Sequence, residues 1–238
     1  MGKKYSYEAQ HAKEKLKFII NAINKFKIKT KKGSIKILDV GCGEGDISFH
    51  LARLNYRIVA TDSDKDAIKY CKNINKFKNL KFVLSDAENM SSKEKFDVII
   101  CSEVLEHVNN PEKLVYKLSR ILNQNGLMII TIPNGYGPFE IFYNTPVTFI
   151  LRRIDKMRGI ERPGFYHCQH FTLNEIKIIL ENNNLKITDK ENAYFLSFLP
   201  LIRDMAISKL DVLLARKLPY WLSSGWYLVC ERQHPQSS

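Results

Sequence analysis

The sequence predicts an α/β domain built on a doubly wound, largely parallel sheet. Strand-like and helix-like segments alternate five times between Ile35 and Ile132 with short connections, a rhythm that belongs to sheets with helices on both faces. The strand-like segments are near-continuous apolar runs, as strands buried on both sides must be. The first of them runs Leu38-Asp39-Val40 into Gly41-Cys42-Gly43-Glu44-Gly45, an acidic residue and three alternate glycines ahead of a helical pattern.

Taken in order, a helix is expected over 7–27, where Leu16, Ile19, Ile20, Ile23 and Phe26 recur at helical spacing. Residues 29–33 break it. Strand one is 35–40, a helix 46–54, strand two 57–61, a helix 64–73, strand three 81–84 and strand four 96–101. Pro111, tolerated in a first helical turn, opens a helix to Leu122. Strand five, 126–132, stops at Pro133. Beyond Asn134 the rhythm changes, and 135–164 is rich in aromatics and arginine. Thr172 is placed to cap a helix over 173–182. Residues 186–191 read as a strand, 195–218 as mostly helical and amphipathic, and 226–231 as a closing strand.

At 238 residues the chain fits a single domain. Its parts are a helical segment (1–33), a core (34–134), a cap (135–170) and C-terminal helices and strands (171–238). Apolar residues make up 45%, enough for an ordinary core. The 37 Lys and Arg exceed the 25 Asp and Glu, for a formal net charge of +12. That excess reads as solvated surface lysine or as a face for an anionic partner: nucleic acid, phosphorylated substrate or membrane. The five cysteines are odd in number and form no C-x-x-C pair, so a reducing, cytoplasmic compartment is expected. No apolar run of about 18 residues predicts a transmembrane helix.

Glycine tolerates φ > 0 and lets backbone approach a ligand closely, and the helix behind the turn presents N–H groups without intrahelical partners. A small polar ligand is therefore expected on the turn. It is not marked as a dinucleotide, because Asp46 stands where G-x-G-x-x-G requires its third glycine. Asp62 ends strand two 17 residues after Gly45, where a carboxylate can accept from both hydroxyls of a ribose. Its competing role is to cap the next helix, which Asp64 can do instead. Asp86, after strand three, suits either a purine amine or a turn.

The ordered segments ILDVGCGEG, ATDSD, LSDAEN, FDVIICSEVLEHV and LNQNGLMIITIPN together resemble class I S-adenosylmethionine-dependent methyltransferases, most nearly the group with the ubiquinone-biosynthesis O-methyltransferases. The resemblance covers roughly 35–134, with an echo at His170-Phe171-Thr172. It implies a Rossmann-like, mostly parallel seven-stranded sheet whose sixth and seventh strands are 186–191 and 226–231, the last antiparallel. It implies S-adenosyl-L-methionine as cofactor and in-line methyl transfer to oxygen of a small-molecule or lipid-like acceptor. Residue by residue, Gly41, Cys42, Gly43 and Gly45 would line the methionine moiety. Asp39 would organise the turn and the cofactor's amino group, Asp62 and Ser63 the ribose, and Asp86 and Ala87 the adenine. Glu103 would face cofactor and acceptor.

Glu103-x-x-Glu106-His107 sets two carboxylates and an imidazole close together, a donor set that suits Mg²⁺. Similar segments bind metal in small-RNA 2′-O-methyltransferases, which add a later histidine; His167 and His170 follow here. Alternatively these residues shape the loop after strand four and touch substrate. Glu103, His107 and His170 are the expected catalytic residues, and Glu103, Glu106 and His107 the expected metal ligands. His11 and His50 read as helix-surface residues. The cap is expected to cover the acceptor. The basic helix within 195–218 packs on its own domain or lies on an anionic membrane. Two rival functions are a metal-dependent RNA 2′-O-methyltransferase and a non-catalytic S-adenosylmethionine-binding subunit.

Overall fold

The computed structural model describes residues 10–90, 92–143, 168–196 and 207–233. Seven strands form one sheet in the order β3-β2-β1-β4-β5-β7-β6. They are β1 (Lys36–Val40), β2 (Arg57–Asp62), β3 (Leu80–Leu84), β4 (Phe96–Ser102), β5 (Leu122–Pro133), β6 (Leu185–Asn192) and β7 (Gly225–Arg232). Strands β1 to β5 pair in parallel, and β7 runs antiparallel to both β5 and β6. The order reverses between β1 and β4, and in open sheets of this kind the crevice for a ligand lies outside the carboxyl ends at such a point.

Helices cover both faces, which is why the strands read as continuous apolar runs. On one face α1 (Gln10–Thr30), α2 (Asp46–Arg53) and α3 (Lys65–Ile74) contribute Ile19, Ile23, Leu51 and Ile68, packed with Ile37, Ile58, Val98 and Ile129 of the sheet. On the other, α4 (Pro111–Ile121) and α6 (Leu173–Asn182) contribute Leu114, Leu118, Ile176 and Leu180, packed with Leu38, Ile99, Ile130 and Leu228. The alternation along β1 sends Ile37 and Asp39 toward α2, and Leu38 and Val40 away from it.

The expected elements recur with shifted ends. Strand β5 starts at Leu122 rather than Gly126, because Leu122 pairs with Phe96 across a register irregularity and Asn123 bonds the Asp97 carboxylate at 2.8 Å. Thr172 does cap α6, in a reciprocal box with Glu175. Of the cap, residues 135–143 and 168–170 are described and carry a short helix, α5 (Pro138–Tyr143); His167 and 144–164 lie outside the described residues. Within 195–218 the described helix is α7 (Ile207–Ala215), and 197–206 lie outside. No described helix is long and apolar enough to cross a membrane.

Candidate cofactor and acceptor site

The turn after β1 places all three of its glycines in the left-handed region: Gly41, Gly43 and Gly45 have φ of +69°, +52° and +81°. At Gly41 a β-carbon would stand 2.4 Å from Val104 Cγ2, so the loop after β4 forbids any side chain there. At Gly43 a β-carbon would meet nothing within 4 Å among the described residues. The backbone therefore borders open space, a cradle that a side chain would fill, and the residues around it fit a polar cofactor. Cys42 is half-buried and its N–H bonds Thr61 O at 2.9 Å. Burial, then Asp39 and Asp62, push its thiol well above the usual range, which makes it a poor nucleophile.

Asp39 is buried behind this turn and accepts from Ser48 Oγ of α2 at 2.6 Å. Burial, with the nearby Asp62 charge, raises its carboxyl from 3.8 to about 7. It ties strand β1 to helix α2. Asp62 bridges the glycine turn and the next helix: its carboxylate accepts from Gly43 N at 2.7 Å and Asp64 N at 2.8 Å. Each oxygen keeps a second lone pair for a ligand hydroxyl. The cap of α3 is Asp64, bonded to the N–H groups of Asp66 and Ala67; the competing role for Asp62 is thereby removed. Ser63 is exposed beside it. Asp86 closes its own turn, accepting from Glu88 N at 2.9 Å and Asn89 Nδ2 at 2.7 Å. Ala87 packs on the second core cluster.

Glu103 follows β4 with φ +55°, a conformation that costs a residue with a side chain about 1–2 kcal/mol. It closes a relay in which Ser102 Oγ and Thr131 Oγ1 lie 2.8 Å apart and Thr131 donates to Glu103 Oε1 at 2.7 Å. Three residues on, Glu106 lies in the short 3₁₀ turn Leu105–His107 and is 1% exposed. Among the described residues neither of its carboxylate oxygens has a hydrogen-bond partner. Burial, then the charge of Glu103, holds this carboxyl well above its ordinary range. Its backbone carbonyl receives the N–H groups of Cys168 and Gln169 at 2.7 and 3.1 Å. That docking brings His170 to the same end of the sheet, where its Nε2 lies 3.3 Å from Glu140 Oε2.

The expected metal set is not assembled. Among the described residues no group of three His, Cys, Asp or Glu side chains is placed to hold an ion. The physical reason is local: Glu103 is turned onto Thr131, and His107 Nε2 stands 3.9 Å from Glu106 Oε1, with half its side chain outward. As placed, Glu103, Glu106 and His107 do not fit a metal.

Two residues of the site were not legible in sequence. Lys15 of α1 stands 3.9 Å from Glu103 Oε1 and its charge acts on Asp39, Asp46 and Glu106 as well. It brings a cation to a crevice lined by carboxylates. Glu140 is buried on α5 against His170. Both are long-range neighbours in segments whose local patterns are ordinary; only Glu140's place in the cap hinted at a role.

The match to the methyltransferase-domain family covers residues 31–162, more than half of the chain. The ubiquinone biosynthesis O-methyltransferase of Pelagibacter ubique is 34% identical over 137 residues, 56% of this chain and 57% of that protein. Its counterpart from Rickettsia typhi is 28% identical over 184 residues, 76% of this chain and 69% of that protein. The chain thus spans little more than half the length of the first. Among solved structures, the magnesium protoporphyrin IX methyltransferase of Synechocystis, with bound SAH, superposes with a TM-score of 0.56 at 14% identity, over 92% of this chain and 84% of that one. This likeness shows the shared Rossmann-like fold. With the glycine turn, the carboxyl-end crevice and the reversed seventh strand in place, the chain belongs to the methyltransferase-domain family.

Proposed function

We propose that this chain is an S-adenosylmethionine-dependent methyltransferase that methylates a hydroxyl oxygen of a lipid-like small molecule. The observation that carries the reading is the turn Gly41–Gly45, bordered by open space at Gly43 and braced by Asp62. When bound, the cofactor supplies an electrophilic methyl on a sulfonium: the S–C bond breaks, a C–O bond forms, and S-adenosylhomocysteine, a methyl ether and one proton result.

The chain's residues bind, align and take the proton. Gly41, Cys42, Gly43 and Gly45 would seat the methionine moiety, and Lys15 would face its carboxylate. Asp62, with Ser63, would hold the ribose, and Asp86 and Ala87 would border the adenine. The segment from 135 to 170 would cover the acceptor and exclude water, which favours an in-line geometry. His170 is the residue we assign to accept the acceptor's proton, with Glu103 and His107 bordering the acceptor mouth. A positioned base contributes about 10²–10⁴-fold, so His170→Ala should lower kcat by at least about tenfold while leaving cofactor affinity unchanged.

The orphaned Glu106 carboxylate favours one second reading, in which Glu103, Glu106 and His107 regroup around Mg²⁺ once acceptor is bound. Release of S-adenosylhomocysteine from S-adenosylmethionine in the presence of each of a panel of catechols, with and without alkyl tails and with and without EDTA, tests both. Loss of turnover in EDTA, restored by Mg²⁺, would establish the second reading. Turnover indifferent to EDTA would remove it. Absence of turnover on every hydroxyl acceptor, with cofactor bound, would overturn the proposal.

A further inference from the structure

We infer that the outer face of α7, with the turn that follows it, is a docking surface for an anionic lipid bilayer. The inference rests on the proposed lipid-like acceptor for its purpose, and on an anomaly of burial for its evidence. In an ordinary surface helix the apolar stripe faces inward and the outward face is polar. In α7 the inward positions are Asp211, Val212 and Ala215, all buried. The outward positions are Leu210, Leu213 and Leu214, which are 52%, 56% and 52% exposed. Trp221, in the following 3₁₀ turn Tyr220–Leu222, is 68% exposed. Four large apolar side chains on one short stretch exceed the scattered single residues that need no explanation.

The surrounding charge selects the occupant. Lys209 and Lys217 are exposed at the two ends of the leucine face, and Lys190 lies over the ring of Tyr220 at 3.8 Å. Leucines and a tryptophan rimmed by lysine are the make-up of a helix lying in a membrane interface. A second copy is a poor occupant, because it would bring together two such faces of a chain carrying a net charge of +12.

The position gives the surface a use. Asn192, which ends β6, bonds the carbonyls of Ala215 and Leu218 at 2.7 and 2.8 Å. Asn134, just past β5, bonds Trp221 O at 3.1 Å. The leucine face therefore sits at the carboxyl end of the sheet, the end that carries Glu103 and His170. A bilayer against α7 would lie beside the acceptor mouth, and an acceptor with an apolar tail would not have to cross water.

Flotation of the full chain with phosphatidylcholine vesicles, with and without phosphatidylglycerol, tests this. The chain should float with anionic vesicles and at least about tenfold less with neutral ones or in high salt. Leu213→Ser/Leu214→Ser and Lys209→Glu/Lys217→Glu should each lower that binding at least about tenfold, with melting temperature and turnover of a water-soluble acceptor retained. Absence of binding to anionic vesicles would overturn the inference, as would binding unchanged in both double variants. So would light scattering that shows a dimer dispersed by the leucine changes while vesicle binding persists. Binding without turnover on any acceptor would sink the proposed function and leave the surface standing; turnover without binding would do the reverse.

Discussion

Gly41 carries the sharpest constraint of any single residue. Its φ of +69° and the 2.4 Å approach of a β-carbon to Val104 Cγ2 act together, so Gly41→Ala should destabilise the chain by about 2–4 kcal/mol, read from urea denaturation. Asp39 makes a prediction about pH. Its folded-state carboxyl titrates near 7 instead of 3.8, so the folded protein holds the proton more tightly than the unfolded chain. That contribution to stability is complete below about pH 4 and is lost as pH rises through 7. Asp39→Asn has no such titration. The melting temperature of the wild type should therefore fall relative to Asp39→Asn between pH 5 and pH 8 (roughly), and a constant difference would refute the shift. Asp62→Ala should weaken S-adenosylmethionine binding by roughly 1–3 kcal/mol by calorimetry; unchanged affinity would sink the ribose assignment.

At the scale of elements, the α6 capping box is separable from the site. Thr172 accepts from Glu175 N at 3.2 Å and Glu175 returns to Thr172 N at 2.7 Å. Thr172→Ala should cost about 1 kcal/mol, measured as a shift in denaturation midpoint with m unchanged. Such elements were legible beforehand because their signals are local: Thr172 before an apolar period, Pro111 at a first turn, glycines after an apolar run. Start points failed where pairing overrode pattern, as at Leu122, whose place in β5 comes from Phe96 across the sheet. The site divides the same way. Asp39 near the end of β1, Asp62 at the end of β2 and Glu103 just after β4 could be read from the strand ends. Lys15 and Glu140 reach the crevice only through the packing of α1 and α5, which no spacing reports. Asp86 was readable as a strand-end carboxylate, but its self-closed turn depended on Asn89.

At the scale of the molecule, two helix layers hold a mostly parallel sheet whose switch point lies between β1 and β4. The glycine turn, Asp62 and the loop after β4 converge there because the topology brings three carboxyl ends together. Among the described residues the acidic groups at that end include Asp39 and Glu106, both buried, and Asp62, Asp86 and Glu103, which reach solvent, whereas the chain as a whole is strongly basic. The net charge therefore says little about the crevice, where among the described residues Lys15 stands 3.9 Å from Glu103. The central claim is that this crevice takes S-adenosylmethionine. Isothermal titration of the protein with S-adenosylmethionine and, separately, with NAD tests it most directly. S-adenosylmethionine should bind saturably, more weakly to Asp62→Ala, and NAD should not bind; binding of NAD without S-adenosylmethionine would overturn the assignment.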